Sequence, residues 1–130
     1  MLSPADRTPP ALIDVDAVTA DLARLRETYA GRERELRTAV AQRLKIALAE
    51  GRAGAEALLM KDRHGRKCAE RLCLMQDDII RMLYELSATL YRSASPSDSE
   101  RMTVVATGGY GRGLLAPGSD IDLLFLLPYK

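Results

Sequence analysis

Asp120 and Asp122 flank a single isoleucine, and ten residues separate Asp120 from the upstream pair Gly108-Gly109. On a strand, side chains at i and i+2 share one face, about 6.5 Å apart. The spacing therefore predicts two carboxylates reaching toward one metal site. Glycine at a strand end lets backbone N–H groups approach a phosphate with no Cβ in the way. A short helical turn from Tyr110 would add a favourable dipole for the anion. Mg²⁺ takes a few carboxylates plus substrate phosphates rather than an all-protein cage. Two such ions activate an attacking hydroxyl and stabilise a leaving pyrophosphate. The chemistry indicated is nucleotidyl transfer at an α-phosphate, with Asp120 and Asp122 as catalytic metal ligands. Gly108, Gly109, Arg112 and Ser119 form the candidate nucleotide-binding set, Arg112 as the cation facing the triphosphate.

Two plainer readings compete. Ser119-Asp120 can be a turn entering a strand, with Asp122 on a solvent face. The segment Gly111-Arg112-Gly113-Leu114-Leu115-Ala116 also fits the dinucleotide pattern G-x-G-x-x-A. That motif needs a long helix next, whereas Pro117-Gly118 and a strand follow. No Walker A lysine follows the glycines.

The elements that must position these residues are legible from periodicity. Residues 1–13 hold Pro4, Pro9 and Pro10 and read as a flexible lead-in to a helical region over 14–92. Val15, Val18, Leu22, Leu25 and Tyr29 form one apolar stripe, with Gly31 as its expected stop. Leu36, Val40, Leu44 and Leu48 form a second, expected to end at Gly51. Leu72, Met75, Ile79, Leu83, Leu86 and Leu90 form a third, which starts as early as Ala53 if Gly65 does not break it. A Ser- and Pro-rich loop over 93–102 follows. Thr103 to Thr107 is β-branched and strand-like. Pro117-Gly118 marks a turn, and Asp120 to Leu127 reads as a second strand ended by Pro128. The fold class expected is α+β. Residues 103–130 would be the incomplete start of a domain, because two strands cannot cover both faces of so apolar a run as Leu123 to Leu127.

Composition bounds the function. The 130 residues carry 19 Lys+Arg and 18 Asp+Glu, a net charge of +1, which excludes a polyanion binder held by bulk electrostatics. Aromatic residues make up 5%, with no Trp, which argues against base-stacking platforms and hence against a nucleic-acid partner. No stretch approaches the ~18 apolar residues of a membrane span, and no secretory signal is visible. The chain reads as cytoplasmic with reduced thiols. Cys68 and Cys73 lie about 140° apart around a helix and do not converge on a metal. His64 reads as solvent-exposed, and the basic run Lys61 to Arg71 as a solvated helix face.

The string Gly108-Gly109-Tyr110-Gly111-Arg112-Gly113, followed by Pro117-Gly118-Ser119-Asp120-Ile121-Asp122-Leu123-Leu124, resembles the signature of the bifunctional PII uridylyltransferase/uridylyl-removing enzymes. Asp62 to Leu74 also resembles the region before that signature in alphaproteobacterial members. The resemblance covers most of residues 32–130. It implies a polymerase-beta-like mixed sheet and Mg²⁺-dependent transfer of UMP from UTP to a tyrosine of the PII signal protein. It implies glutamine as effector through C-terminal domains, and a separate domain that removes UMP. Asp120 and Asp122 would be metal ligands, with Gly108 and Gly109 lining the triphosphate. Many members carry Glu where this chain has Leu114. A third family carboxylate, on a later strand, would lie beyond Lys130, so this stretch alone is expected to be inactive. Glutamine synthetase adenylyltransferase, with a similar Ser-Asp-x-Asp-Leu signature, is the runner-up. A helical docking module carrying a degenerate nucleotidyltransferase remnant is the alternative from another class.

Overall fold

A computed structural model describes residues 11–91 and 101–128. The proline-rich lead-in before residue 11 and most of the 93–102 loop lie outside the described residues. The elements run α1 (Val15–Thr28), α2 (Glu33–Asp62), α3 (Gly65–Leu90), β1 (Thr103–Thr107), α4 (Gly108–Gly111) and β2 (Asp122–Leu126). The architecture is α+β, mostly helical, with one two-stranded antiparallel sheet among the described residues.

Each long helix begins and ends for a local reason. Asp14 caps α1, its carboxylate accepting from the Ala17 N–H at 3.0 Å. Val18 and Leu22 of the first stripe are buried, and Val15, Leu25 and Tyr29 pack partly against them. The helix stops at Thr28, and Gly31 then turns the chain at φ +77°. Ile13, expected within the flexible lead-in, is buried instead and belongs to the core.

The second helix does not end at Gly51. It continues to Asp62, about 45 Å in all. Gly51 is buried where α2 crosses α3, and a Cβ there would run into Met75 Sδ and sit 3.1 Å from Ile13 Cγ2. The glycine serves close helix packing rather than termination, which composition alone does not distinguish. The break falls at Arg63, in the left-handed region at φ 52°, so α3 starts at Gly65 and not near Ala53. Asp62 stabilises this corner by accepting from the His64 N–H (2.9 Å) and from Arg71 Nη2 (2.7 Å). Those two donors, the backbone N–H first, hold the Asp62 carboxyl below its usual range. His64 is exposed, as expected, and its Nδ1 caps α3. Arg71 is not on a solvated face: it is 8% exposed and ion-paired to Asp62.

The third stripe supplies the centre of the core, with Leu72, Met75, Ile79 and Met82 buried. Leu83 drifts to the exposed side and Met82 takes the inward position. Cys68 and Cys73 are both free and buried. No described helix is long and apolar enough to cross a membrane. Gly51→Leu should destabilise the fold by about 2 kcal/mol through overpacking against Met75. Gly51→Ala should destabilise less than Gly51→Leu, because its single methyl still displaces the buried Met75 Sδ and crowds Ile13 Cγ2 while gaining helix propensity. Urea unfolding of both variants checks this.

Candidate active site

Strand β1 pairs with β2 from Thr103↔Leu126 to Thr107↔Asp122. The pairing brings the end of β1, where the glycines begin, beside the first residue of β2. Asp122 is therefore on the strand as expected. Asp120 is not: beyond Thr107 the chain turns into α4, so Asp120 and Ile121 have no ladder partner and stay outside the strand. Both carboxylates are exposed. Among the described residues no cluster of three or more His, Cys, Asp or Glu side chains forms a metal cage.

Gly108 sits at φ +60°, and a Cβ built on it would lie 2.5 Å from Asp122 Oδ2. The acid occupies the space that a side chain at 108 would fill. Glycine at this position answers both demands, the left-handed backbone and the close approach. Gly111 makes a second close approach, its Cβ direction ending 2.7 Å from the Ala106 carbonyl oxygen. Arg112 folds back so that Nη2 lies 3.7 Å from the Cβ position of Gly109. The helical turn starts at Gly108 rather than Tyr110 and has only four residues. A single turn sums too few peptide dipoles to attract an anion as a long helix does. The Arg112 guanidinium is the one cationic group the turn carries.

Ser119 closes the turn after Pro117-Gly118, its N–H donating to the Ala116 carbonyl at 3.0 Å with Gly118 at φ +72°. Proline followed by a positive-φ glycine is type II turn chemistry. Ser119 and Asp120 line a groove of about 600 Å³ between α2, α3 and the loop over 115–121. Its other walls include Leu48, Leu59, Leu72 and Met75. Gly108, Gly109, Arg112 and Asp122 lie outside that lining. The fold thus joins Asp122 to the glycine turn, and sets Asp120 and Ser119 on an adjoining groove.

The spacing of glycines and acids assigns the Tyr110 side chain no role, yet the fold buries it. It is 4% exposed and its hydroxyl donates to Asp77 Oδ1 of α3 at 2.5 Å. Burial, and then the Asp77 carboxylate, push the phenol well above its usual range. Cys73 Sγ donates to the Tyr110 carbonyl at 3.7 Å, and burial raises that thiol as well. The signal in the sequence is an aromatic residue set alone among four glycines.

Residues 92–130 match the family of the nucleotidyltransferase domain. The chain is 62% identical over 118 residues to a bifunctional uridylyltransferase/uridylyl-removing enzyme of Bradyrhizobium diazoefficiens, covering 90% of this chain. A Rhodopseudomonas palustris protein of the same name is 55% identical over 130 residues, covering 99% of this chain. This chain is homologous to the bifunctional uridylyltransferase/uridylyl-removing enzymes. It spans 13% and 14% of the length of those two relatives. No solved structure matches it. The uridylyltransferase relatives thus align with the helices as well as with the glycine turn, since the match extends far upstream of residue 92.

Two outcomes test this geometry. Gly108→Ala should cost about 1–2 kcal/mol in unfolding free energy, from left-handed strain at a residue with a Cβ, and should push the Asp122 carboxylate aside. Chemical denaturation reads the first effect. Alkaline titration followed by tyrosinate absorbance reads a second property. A phenol whose folded pKa is raised contributes its full stability below the ordinary value near 10, and loses it as pH rises toward the folded value. One of the five tyrosines should therefore ionise only as the protein unfolds at high pH, and Tyr110→Phe should abolish that lagging phase.

Proposed function

We propose that the chain supplies the nucleotide-binding turn and two acids of an enzyme that transfers UMP from UTP to a tyrosine of the PII signal protein. The observation that carries this reading is the seating of the Asp122 carboxylate on Gly108, within 2.5 Å of its Cβ position. It puts an acid beside backbone N–H groups that no side chain shields. In this reading Gly108 and Gly109 present N–H groups to the triphosphate, and Arg112 beside them offers a cation. Asp122 and Asp120 are the ligands for Mg²⁺. Two exposed carboxylates suit an ion that keeps substrate phosphates and waters in its shell. Bound there, the metal would supply charge stabilisation for the leaving pyrophosphate. Ser119 fixes the turn that delivers Asp120. The names of the relatives favour uridylyl over adenylyl transfer. Cytoplasmic placement and glutamine as effector, acting through segments of the longer protein, belong to the same reading.

The test uses a protein of the relatives' length carrying this sequence, with Mg²⁺ and α-labelled UTP or ATP. PII protein and glutamine synthetase serve as acceptors. Label should pass from UTP to PII. Asp122→Asn and Asp120→Asn should each cut transfer at least about a hundredfold, the several kcal/mol that a metal ligand supports. Label passing from ATP to glutamine synthetase would replace the function and keep the site. No transfer from either nucleotide would favour the docking-module reading. Residues 1–130 alone should transfer no label, because no third acid joins Asp120 and Asp122 among the described residues.

A further inference from the structure

The glycine turn has almost nothing of its own with which to hold position. Gly108, Gly109, Gly111 and Gly113 offer no side chains, and glycine loses more backbone freedom on ordering than any other residue. Its anchorage comes from α3. The buried Tyr110 donates its hydroxyl to Asp77, and its carbonyl accepts from Cys73. Further along, Leu115, itself 7% exposed, donates its N–H to the Ala69 carbonyl at 3.2 Å. Ala69, Cys73 and Asp77 are spaced by four, so they lie along one face of the helix. One edge of α3 therefore clamps the segment that carries the glycines at its middle, through Tyr110, and just past its C-terminal end, through Leu115.

We propose that Tyr110 and Asp77 are positioning residues for nucleotide binding: their hydrogen bond sets where the Gly108-Gly109 backbone sits against Asp122. The inference rests on the transferase reading above. It extends the active unit from the glycine turn and its acids to a helix that contributes no side chain to the reacting atoms. The phenol's raised pKa keeps it a donor throughout the neutral range.

Asp77→Asn retains an oxygen that accepts from the phenol, whereas Asp77→Leu keeps the bulk and loses the acceptor. Tyr110→Phe removes the donor with the ring still packed. In the relative-length protein, Tyr110→Phe and Asp77→Leu should raise the KM for UTP roughly tenfold, with the KM for the protein acceptor unchanged. Asp77→Asn should stay within about twofold of the parent. Amide exchange at residues 108–113 of the present chain gives a readout independent of catalysis. It should quicken in Tyr110→Phe and Asp77→Leu but not in Asp77→Asn, while amides of α2 remain unchanged. Parent-like KM values in both disruptive variants overturn the proposal, as does equal damage from Asp77→Asn and Asp77→Leu. If Asp77→Leu fails to fold, the contrast between Tyr110→Phe and Asp77→Asn decides. A parent that transfers no label defeats the transferase reading alone, and the exchange rates then show whether the clamp holds the turn.

Discussion

The carboxylate of Asp122 occupies the space where residue 108 would carry a side chain. That contact requires β1 and β2 to pair in a register that sets Thr107 against Asp122. It requires a backbone at Gly108 that L side chains rarely adopt. It also requires the turn after Gly108 to stay put, although Tyr110 is its one buried side chain. The helices answer the last demand. They place a buried pocket for one aromatic ring beside an acid that accepts from its hydroxyl.

The helical layer is shaped to make that pocket dependable. Gly51 lets α2 approach α3 closely at Met75, so the residues framing the site loop are set by backbone proximity. Asp62 and Arg71 fix the corner from which α3 departs. Arg71 Nε and Nη1 are buried without a hydrogen-bond partner among the described residues, so the ion pair with Asp62 stands as its main compensation. Tyr84, further along the same helix, donates to the Met102 carbonyl at 2.9 Å, just before β1. From Ala69 to Tyr84, α3 is the rail along which the strand–turn–strand unit is attached.

Much of this was legible because hydrophobic periodicity reports burial directly. Val18, Leu22, Leu36, Val40, Leu44, Leu72, Met75 and Ile79 are all buried. Helix ends were less legible where glycine served packing. Gly51 and Gly31 look alike in sequence, yet one lies inside a helix and the other after one. Asp120 and Asp122 fit a strand alternation that β2 honours only from Asp122, because strand length depends on the partner and β1 ends at Thr107. Arg71 reads as one more charge in a basic run until Asp62 is seen nine residues back in the chain but across a helix corner. The Tyr110–Asp77 pair was invisible for a related reason. Thirty-three residues separate its members, and no local pattern links them.

The order of elements along the chain also has a temporal side. The face formed by Ala69, Cys73 and Asp77 precedes the turn it holds, and α3 ends at Leu90. A growing polypeptide lengthens by about 5–20 residues per second, and Tyr110 follows roughly twenty residues later. A helix needs only about a microsecond to form. The template is thus synthesised before its guest, and the glycine-rich turn emerges after the surface that gives it shape.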